Sequence, residues 1–179
     1  MTLAIDLVPH QDAGDRAQWR GDQNERPLTE LGRRQAQALA DALAAEPVDA
    51  LYSSPALRCR QSLEPLAERL GLTITVLPEL RESHGFTGAT GWIQGPYGGA
   101  YAAGRAHGAL ERMRAAHPDG RTVACSHGDV IPALVAFLVG AHGLERVPEL
   151  KRRGQWYRVR FAAEEVSIEL LEAPTEFPS

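Results

Sequence analysis

Lysine is nearly missing from this chain: among its 19 basic residues Lys151 is the sole lysine, and the rest are arginines. That bias fits a GC-rich genome better than a function, so a single arginine carries weight only where a motif supports it. Cysteine is almost as scarce. Cys59 and Cys125 are too few and too isolated for a disulfide framework or a zinc site, and they read as buried thiols in a reducing compartment. No run approaches the roughly 20 apolar residues of a membrane-spanning helix. The opening run of about eight residues lacks a basic flank and contains Asp6, so it reads as a strand and not a signal peptide. A basic stripe is also missing. The net charge of -4 argues against a general nucleic-acid binder and requires any anionic substrate to meet a local positive field. The expectation is a soluble cytoplasmic protein with neither a membrane nor a nucleic-acid partner.

A length of 179 residues supports one domain over 1–179, burying roughly 70% of its unfolded surface. Thr2 to Val8, Val48 to Ser53, Thr73 to Leu77 and Arg121 to Ser126 read as short apolar strands. Thr29 and Glu30 open a helix that Pro47 stops, with Leu31, Ala38, Leu39, Ala42 and Leu43 as its apolar face. Pro55 opens a second helix that ends at Gly71. From Pro78 to Gly108 the pattern fails, with Gly85, Gly88, Gly91, Gly95, Gly98, Gly99 and Gly104 too dense for a packed element. This stretch reads either as a substrate lid lined by Trp92, Tyr97 and Tyr101 or as a bland insertion. Helices are expected from near Ala109 to Pro118 and over Val130 to Val139. Gln155 to Ala162 and Val166 to Leu171 form an antiparallel pair, and 172–179 a loose tail. Trp19 reads as a packing anchor for the long first loop. Alternation of strand and helix implies an α/β fold, a three-layer α/β/α sandwich on a mostly parallel sheet. Ligands of such sheets bind beyond the strands' carboxyl ends, where His10, Ser53, Ser54 and His127 all fall.

A neutral imidazole at such an end is a competent phosphoryl acceptor. The phosphoryl in flight spreads charge over three oxygens and needs fixed donors around it. Arg58 offers a planar fork, and Ser53 or Ser54 and the start of the Pro55 helix add further donors. A leaving alkoxide needs a proton, for which Glu82 and Glu79 are the candidates.

These segments resemble the histidine phosphatase superfamily, or phosphoglycerate mutase-like family. The matching strings are L-V-P-H (Leu7 to His10), S-S-P-A-L-R-C-R-Q-S (Ser53 to Ser62), P-E-L-R-E (Pro78 to Glu82) and S-H-G (Ser126 to Gly128). Ala13 to Ala36 is similar to a subgroup of small bacterial phosphohistidine phosphatases and domains attached to Nudix hydrolases. The resemblance implies a phosphoglycerate mutase-like fold and a phosphatase acting on a phosphomonoester or phosphohistidine. His10 would be the nucleophile, Arg58 and His127 the phosphoryl ligands and Glu82 the proton donor. It implies no cofactor and no metal; His84, His107, His117 and His142 lack ligand spacing and are expected at the surface. Its partner is a small phosphorylated substrate or a phosphoprotein. The oligomeric state is not written in these motifs.

Pro9 departs from the pattern, because the family's signature begins Arg-His. Proline carries no charge and no N–H, yet it keeps Val8 extended as a strand end requires. The fold should survive and the pocket should lose a cation, a loss of about 10²–10³ in rate. Three outcomes follow: Arg16 or Arg26 substitutes, turnover is weak, or the site binds a phosphorylated ligand or partner without turnover. A pocket repurposed for other chemistry is a further alternative.

Overall fold

The computed structural model describes residues 2–83, 96–163, 165–173 and 178. Its frame is a six-stranded sheet in the order β3-β2-β4-β1-β5-β6. The strands are β1 (Thr2–Pro9), β2 (Ala50–Ser53), β3 (Ile74–Val76), β4 (Gly120–Ser126), β5 (Gln155–Ala162) and β6 (Glu165–Glu172). The first four run parallel, and β5 and β6 return antiparallel on the edge beyond β1. The helices are α1 (Glu30–Leu43), α2 (Leu57–Leu70), α3 (Pro96–Ala116) and α4 (Val130–His142).

The sheet is covered on both faces because its central strands are apolar on both. Leu3, Ile5 and Leu7 of β1 pack with Ala102, Ala106 and Leu110 of α3 and with Ile131 and Leu134 of α4. Val8 and Val123 face the other way, against Leu39 and Leu43 of α1 and Leu63 and Leu66 of α2. The result is the expected α/β/α sandwich, whose alternation is a direct consequence of the two-residue period of a strand.

Local chemistry sets the helix ends. Thr29 caps α1 by accepting a hydrogen bond from the Gly32 N–H at 3.0 Å. Gly71 and Gly143 end α2 and α4 at φ 66 and 61, a conformation that favours glycine. The buried stripe of α1 is Ala36, Leu39, Ala40 and Leu43, shifted from the expected face: Leu31, Ala38 and Ala42 are only half-buried. The stripe is the one that faces both the sheet and α2.

Two expectations need correction. Gly98, Gly99 and Gly104 lie inside α3, which starts at Pro96 and not near Ala109. Glycine costs about 1 kcal/mol in a helix, but Ala102, Ala103, Ala106 and Ala109, all buried, combine the best helix former with a close fit to the core. The supposed tail also begins later, since Glu172 closes β6 and the Ala173 N–H donates to the Gly154 carbonyl at 2.8 Å. Trp92, His84 and the glycines at 85, 88, 91 and 95 lie outside the described residues, as does the side chain of Tyr97. Trp19 is exposed, and its indole N–H closes its own loop on the Asp22 carbonyl at 2.9 Å.

Candidate active site

Three parallel strands end side by side and deliver the site. The His10 N–H donates to Ser126 O at 2.9 Å, and the Ser54 N–H donates to Cys125 O at 2.9 Å. His10, Ser54 and His127 thus follow directly on β1, β2 and β4. The imidazoles of His10 and His127 meet edge to face, with centroids 5.5 Å apart.

The two rings hold opposite protonation states. His10 Nδ1 lies 2.7 Å from the Gln11 carbonyl, which can only accept, so Nδ1 carries the hydrogen and Nε2 keeps its lone pair. Burial, then the charge of Arg153, pulls the His10 pKa down to about 3, against the Gln11 hydrogen bond. His10 is therefore neutral at physiological pH. Burial also pulls on His127, but the neighbouring Cys59 sulfur and the Glu82 carboxylate outweigh it and raise its pKa to about 9. As an imidazolium His127 donates through Nε2 to Ser54 Oγ at 2.7 Å and through Nδ1 toward Glu82 Oε1 at 3.4 Å.

Arg58, only 1% exposed, sits on the first turn of α2. Its Nη2 meets Glu82 Oε1 at 2.8 Å, its Nη1 donates to the Gln23 carbonyl, and its buried Nε has no partner. Burial pushes the Glu82 carboxyl up, but the hydrogen bonds and charges of His127 and Arg58 hold it well below the ordinary carboxylate range. Glu82 is anchored by its neighbours. Arg105 of α3 donates to the carbonyls of Glu79, Arg81 and Glu82, and Ser83 donates to Asp129 through its N–H and its hydroxyl. Glu79 faces away, paired with Arg112.

A cleft of about 310 Å³ opens over these groups, lined by His10, Arg16, Arg26, Glu82, Asp129 and Arg153 among others. Arg16 reaches Glu82 at 3.6 Å. Arg26 borders the cleft but spends its donors on Ala13 O, Gly14 O and Gln23 Oε1. Of the two serines, Ser54 touches His127. Ser53, expected as a phosphate ligand, instead turns its hydroxyl to the Ser54 carbonyl at 2.9 Å, because alternation along β2 aims successive side chains to opposite faces. Of the remaining described histidines, His142 is exposed, while His107 and His117 are half-buried, His117 against the Tyr52 hydroxyl at 2.9 Å.

Pro9 is accommodated at no cost to the sheet. Backbone N–H groups alternate sides along a strand, and that of His10 faces β4, so the nitrogen of Pro9 faces β5. The β1–β5 ladder has its last pair at Leu7 and Tyr157, and no ladder bond is lost. Arg153, absent from the candidates drawn from sequence, donates to the His10 carbonyl. Only the run Lys151-Arg152-Arg153 before Gly154 signalled it.

His10, Glu82 and His127 offer ligand atoms within 4.8 Å of one another, a spacing that a divalent ion could bridge. The surrounding charge opposes that use: His127 as imidazolium has no lone pair to give, and Arg58 already holds Glu82. A neutral imidazole facing an imidazolium and a buried guanidinium is instead a receptor for an anion.

Known proteins place the chain in a family. The profile of the histidine phosphatase superfamily (branch 1) matches residues 11–90 and 97–173. The chain belongs to the histidine phosphatase superfamily. Among curated relatives, the 8-oxo-(d)GTP phosphatase of Mycolicibacterium smegmatis is 34% identical over 134 residues, covering 75% of this chain and 37% of that protein. A PE-PGRS family protein of Mycobacterium tuberculosis, PE_PGRS11, is 42% identical over 86 residues, or 46% of this chain and 15% of its own length. The chain thus spans well under half the length of either relative. The histidine phosphatase fold recurs in Bacillus stearothermophilus YhfR, with a TM-score of 0.76 at 18% identity over 97% of this chain and 98% of that one. It recurs in the mycobacterial glucosyl-3-phosphoglycerate phosphatase Rv2419c, with a TM-score of 0.70 at 20% identity, covering 97% and 100% of the two chains. Among the described residues no helix is long and apolar enough to cross a membrane.

Proposed function

We propose that this chain is a metal-independent phosphatase that hydrolyses a phosphomonoester or phosphohistidine through a covalent phosphohistidine at His10. The observation that carries the reading is the pairing of a neutral His10, its Nδ1 hydrogen committed to Gln11, with a cationic His127 and a buried Arg58 that both hold Glu82 beside it. His10 Nε2 attacks phosphorus, the bond from phosphorus to the leaving oxygen breaks, and that oxygen takes a proton. Water then attacks phosphorus and gives a proton to the Glu82 carboxylate, the P–N bond breaks, and the His10 lone pair is restored. Arg58 and His127 stabilise charge on the phosphoryl oxygens throughout.

Glu82 fits the proton donor despite its ionised resting state. A phosphoryl dianion competes with it for Arg58 and His127, removing the charges that hold its pKa down and adding a like charge that raises it. Glu82 therefore takes up a proton as substrate binds and returns it to the leaving group. The relatives' names, among them a phosphatase of 8-oxo-(d)GTP and one of glucosyl-3-phosphoglycerate, agree with a phosphatase in general.

The test is hydrolysis of an aryl phosphate by the parent and by His10→Ala, with acid-sensitive phosphohistidine sought by mass spectrometry after a rapid quench. We expect the variant to lose at least about 10³ in rate and the label to reside on His10. Equal rates overturn the reading. The proline at position 9 favours a second one, a member that binds phosphorylated ligands without turnover, which predicts tungstate binding with no hydrolysis by the parent.

A further inference from the structure

Among the described residues Arg16, Arg26 and Arg153 line the cleft and Arg58 lies buried at the same site, and their partners separate them. Arg58 is tied to Glu82 and Gln23. Arg26 commits Nε and Nη1 to the Gln23 amide and the Ala13 and Gly14 carbonyls of the first loop, which hold it to that loop. Arg16 is a half-exposed residue paired to Glu82. Arg153 differs: Nη1 donates to the His10 carbonyl, and among the described residues no carboxylate lies within ion-pair distance of it. Arg153 lines the His10 cleft, and among the described residues its remaining N–H donors meet no acceptor.

Resting on the phosphatase reading above, we propose that Arg153 is the phosphoryl-oxygen clamp that this chain uses in place of an arginine at position 9. The sheet explains how a residue so distant in sequence arrives there. β5 runs antiparallel to β1 with Leu7 opposite Tyr157, and continuing that register past the last pair brings Gly154 across from His10. Gly154 turns at φ 81, in the left-handed region that glycine tolerates. The turn is tightened by Gln155 Oε1, which accepts from the N–H groups of Lys151 and Arg152 at 2.8 and 3.3 Å. The guanidinium is thereby delivered to the main chain of the nucleophile itself.

Two further observations agree. After burial, the charge of Arg153 is the strongest influence holding the His10 imidazole unprotonated, in keeping with its hold on the His10 carbonyl. The cleft next to that of His10, about 420 Å³, is lined by both Pro9 and Arg153. Position 9 and Arg153 thus border one space, from the end of β1 and from the turn before β5, and Arg153 also lines the cleft of His10. A proline at position 9, small and uncharged, leaves that space to Arg153.

The experiment measures aryl phosphate hydrolysis and affinity for tungstate and orthovanadate in the parent, Arg153→Ala, Arg153→Lys and the double variant Pro9→Arg/Arg153→Ala, with folding checked by circular dichroism. Loss of one preorganised donor predicts a fall of about 10²–10³ in kcat/KM for Arg153→Ala, with oxyanion affinity weakened in the same direction. Arg153→Lys retains the charge without the fork and falls between the two. The double variant recovers about tenfold or more over Arg153→Ala, because the cation returns from the neighbouring strand. A merely structural arginine would shift the melting temperature without changing oxyanion affinity, and that result overturns the proposal. So does a double variant that folds and gains nothing. If the parent shows no turnover dependent on His10, the phosphatase reading fails separately. Tungstate titration of the same variants still decides whether Arg153 binds the oxyanion.

Discussion

At the scale of single residues, His10 and His127 are one side chain type driven in opposite directions. In the unfolded chain both would titrate near the ordinary histidine value. Folding lowers the first to about 3 and raises the second to about 9. The proposed reaction requires His10 neutral and His127 charged, so kcat/KM should fall as pH rises through about 9. For stability the signs follow from proton counts. Below about pH 6.5 the unfolded chain protonates the residue-10 imidazole while the folded chain resists, so stability declines with acid through that window. The depressed Glu82 carboxyl adds to the same decline. His127 contributes stability that is complete below about 6.5 and is lost as pH climbs to about 9. Thermal melts across pH should therefore peak near neutrality, with His127→Gln flattening the alkaline limb and His10→Ala the acid limb. A melting temperature that keeps rising toward pH 9 in the parent contradicts this assignment. The sequence showed both histidines at strand ends. It could not show their protonation, which depends on Gln11, Cys59, Glu82 and Arg153 arriving from separate segments.

At the scale of elements, the first loop is positioned by the start of α1. Asp12 accepts the Thr29 N–H through its carbonyl at 3.0 Å, and its carboxylate accepts the Thr29 hydroxyl at 2.5 Å. Gly32 permits this contact, since a Cβ there would sit 1.9 Å from Asp12 O. Gly32→Ala should push the chain after His10 off the helix, destabilise the fold by about 1–3 kcal/mol and lower kcat more than it raises KM. Denaturant unfolding and steady-state kinetics check it; an unperturbed kcat would show that the helix does not position His10. Thr29 as a cap was legible from sequence, as were the ends of α2 and the β5–β6 pair. The start of α3 was not, because glycine density outweighed alanine in a reading without tertiary contacts. The buried alanines are favourable only once β1 and α4 are there to pack against.

At the scale of the molecule, a buried charge cluster joins the end of the sheet remote from the cleft. Asp6, fully buried on β1, accepts from Arg121 of β4 at 2.8 Å and from Arg158 of β5 at 2.7 and 3.0 Å. Arg121 also donates to the Leu43 and Glu46 carbonyls beyond α1, and Arg158 to Glu46. Asp6→Ala would leave two guanidiniums buried without their shared carboxylate, at a cost of about 3–5 kcal/mol. Its melting temperature should drop sharply while the fraction that stays folded keeps its activity, since the cluster lies away from the cleft. A loss of activity in the folded fraction would contradict that separation. In sequence Asp6 only marks the first strand as unlike a leader, and Arg158 only continues an alternation.

Periodicity, caps and four short motifs were enough to determine, from sequence alone, the layered α/β architecture, the family and the gathering of His10, Arg58, Glu82 and His127 at one place. These signals are local, so they survive in a linear reading. Tertiary structure decided the rest: which serine touches His127, what Glu82 does when the cleft holds no substrate, and which arginine stands beside His10. Each depends on the register of strands far apart in the chain. The register of β5 against β1 carries Arg153 to within reach of a residue that precedes it by most of the molecule.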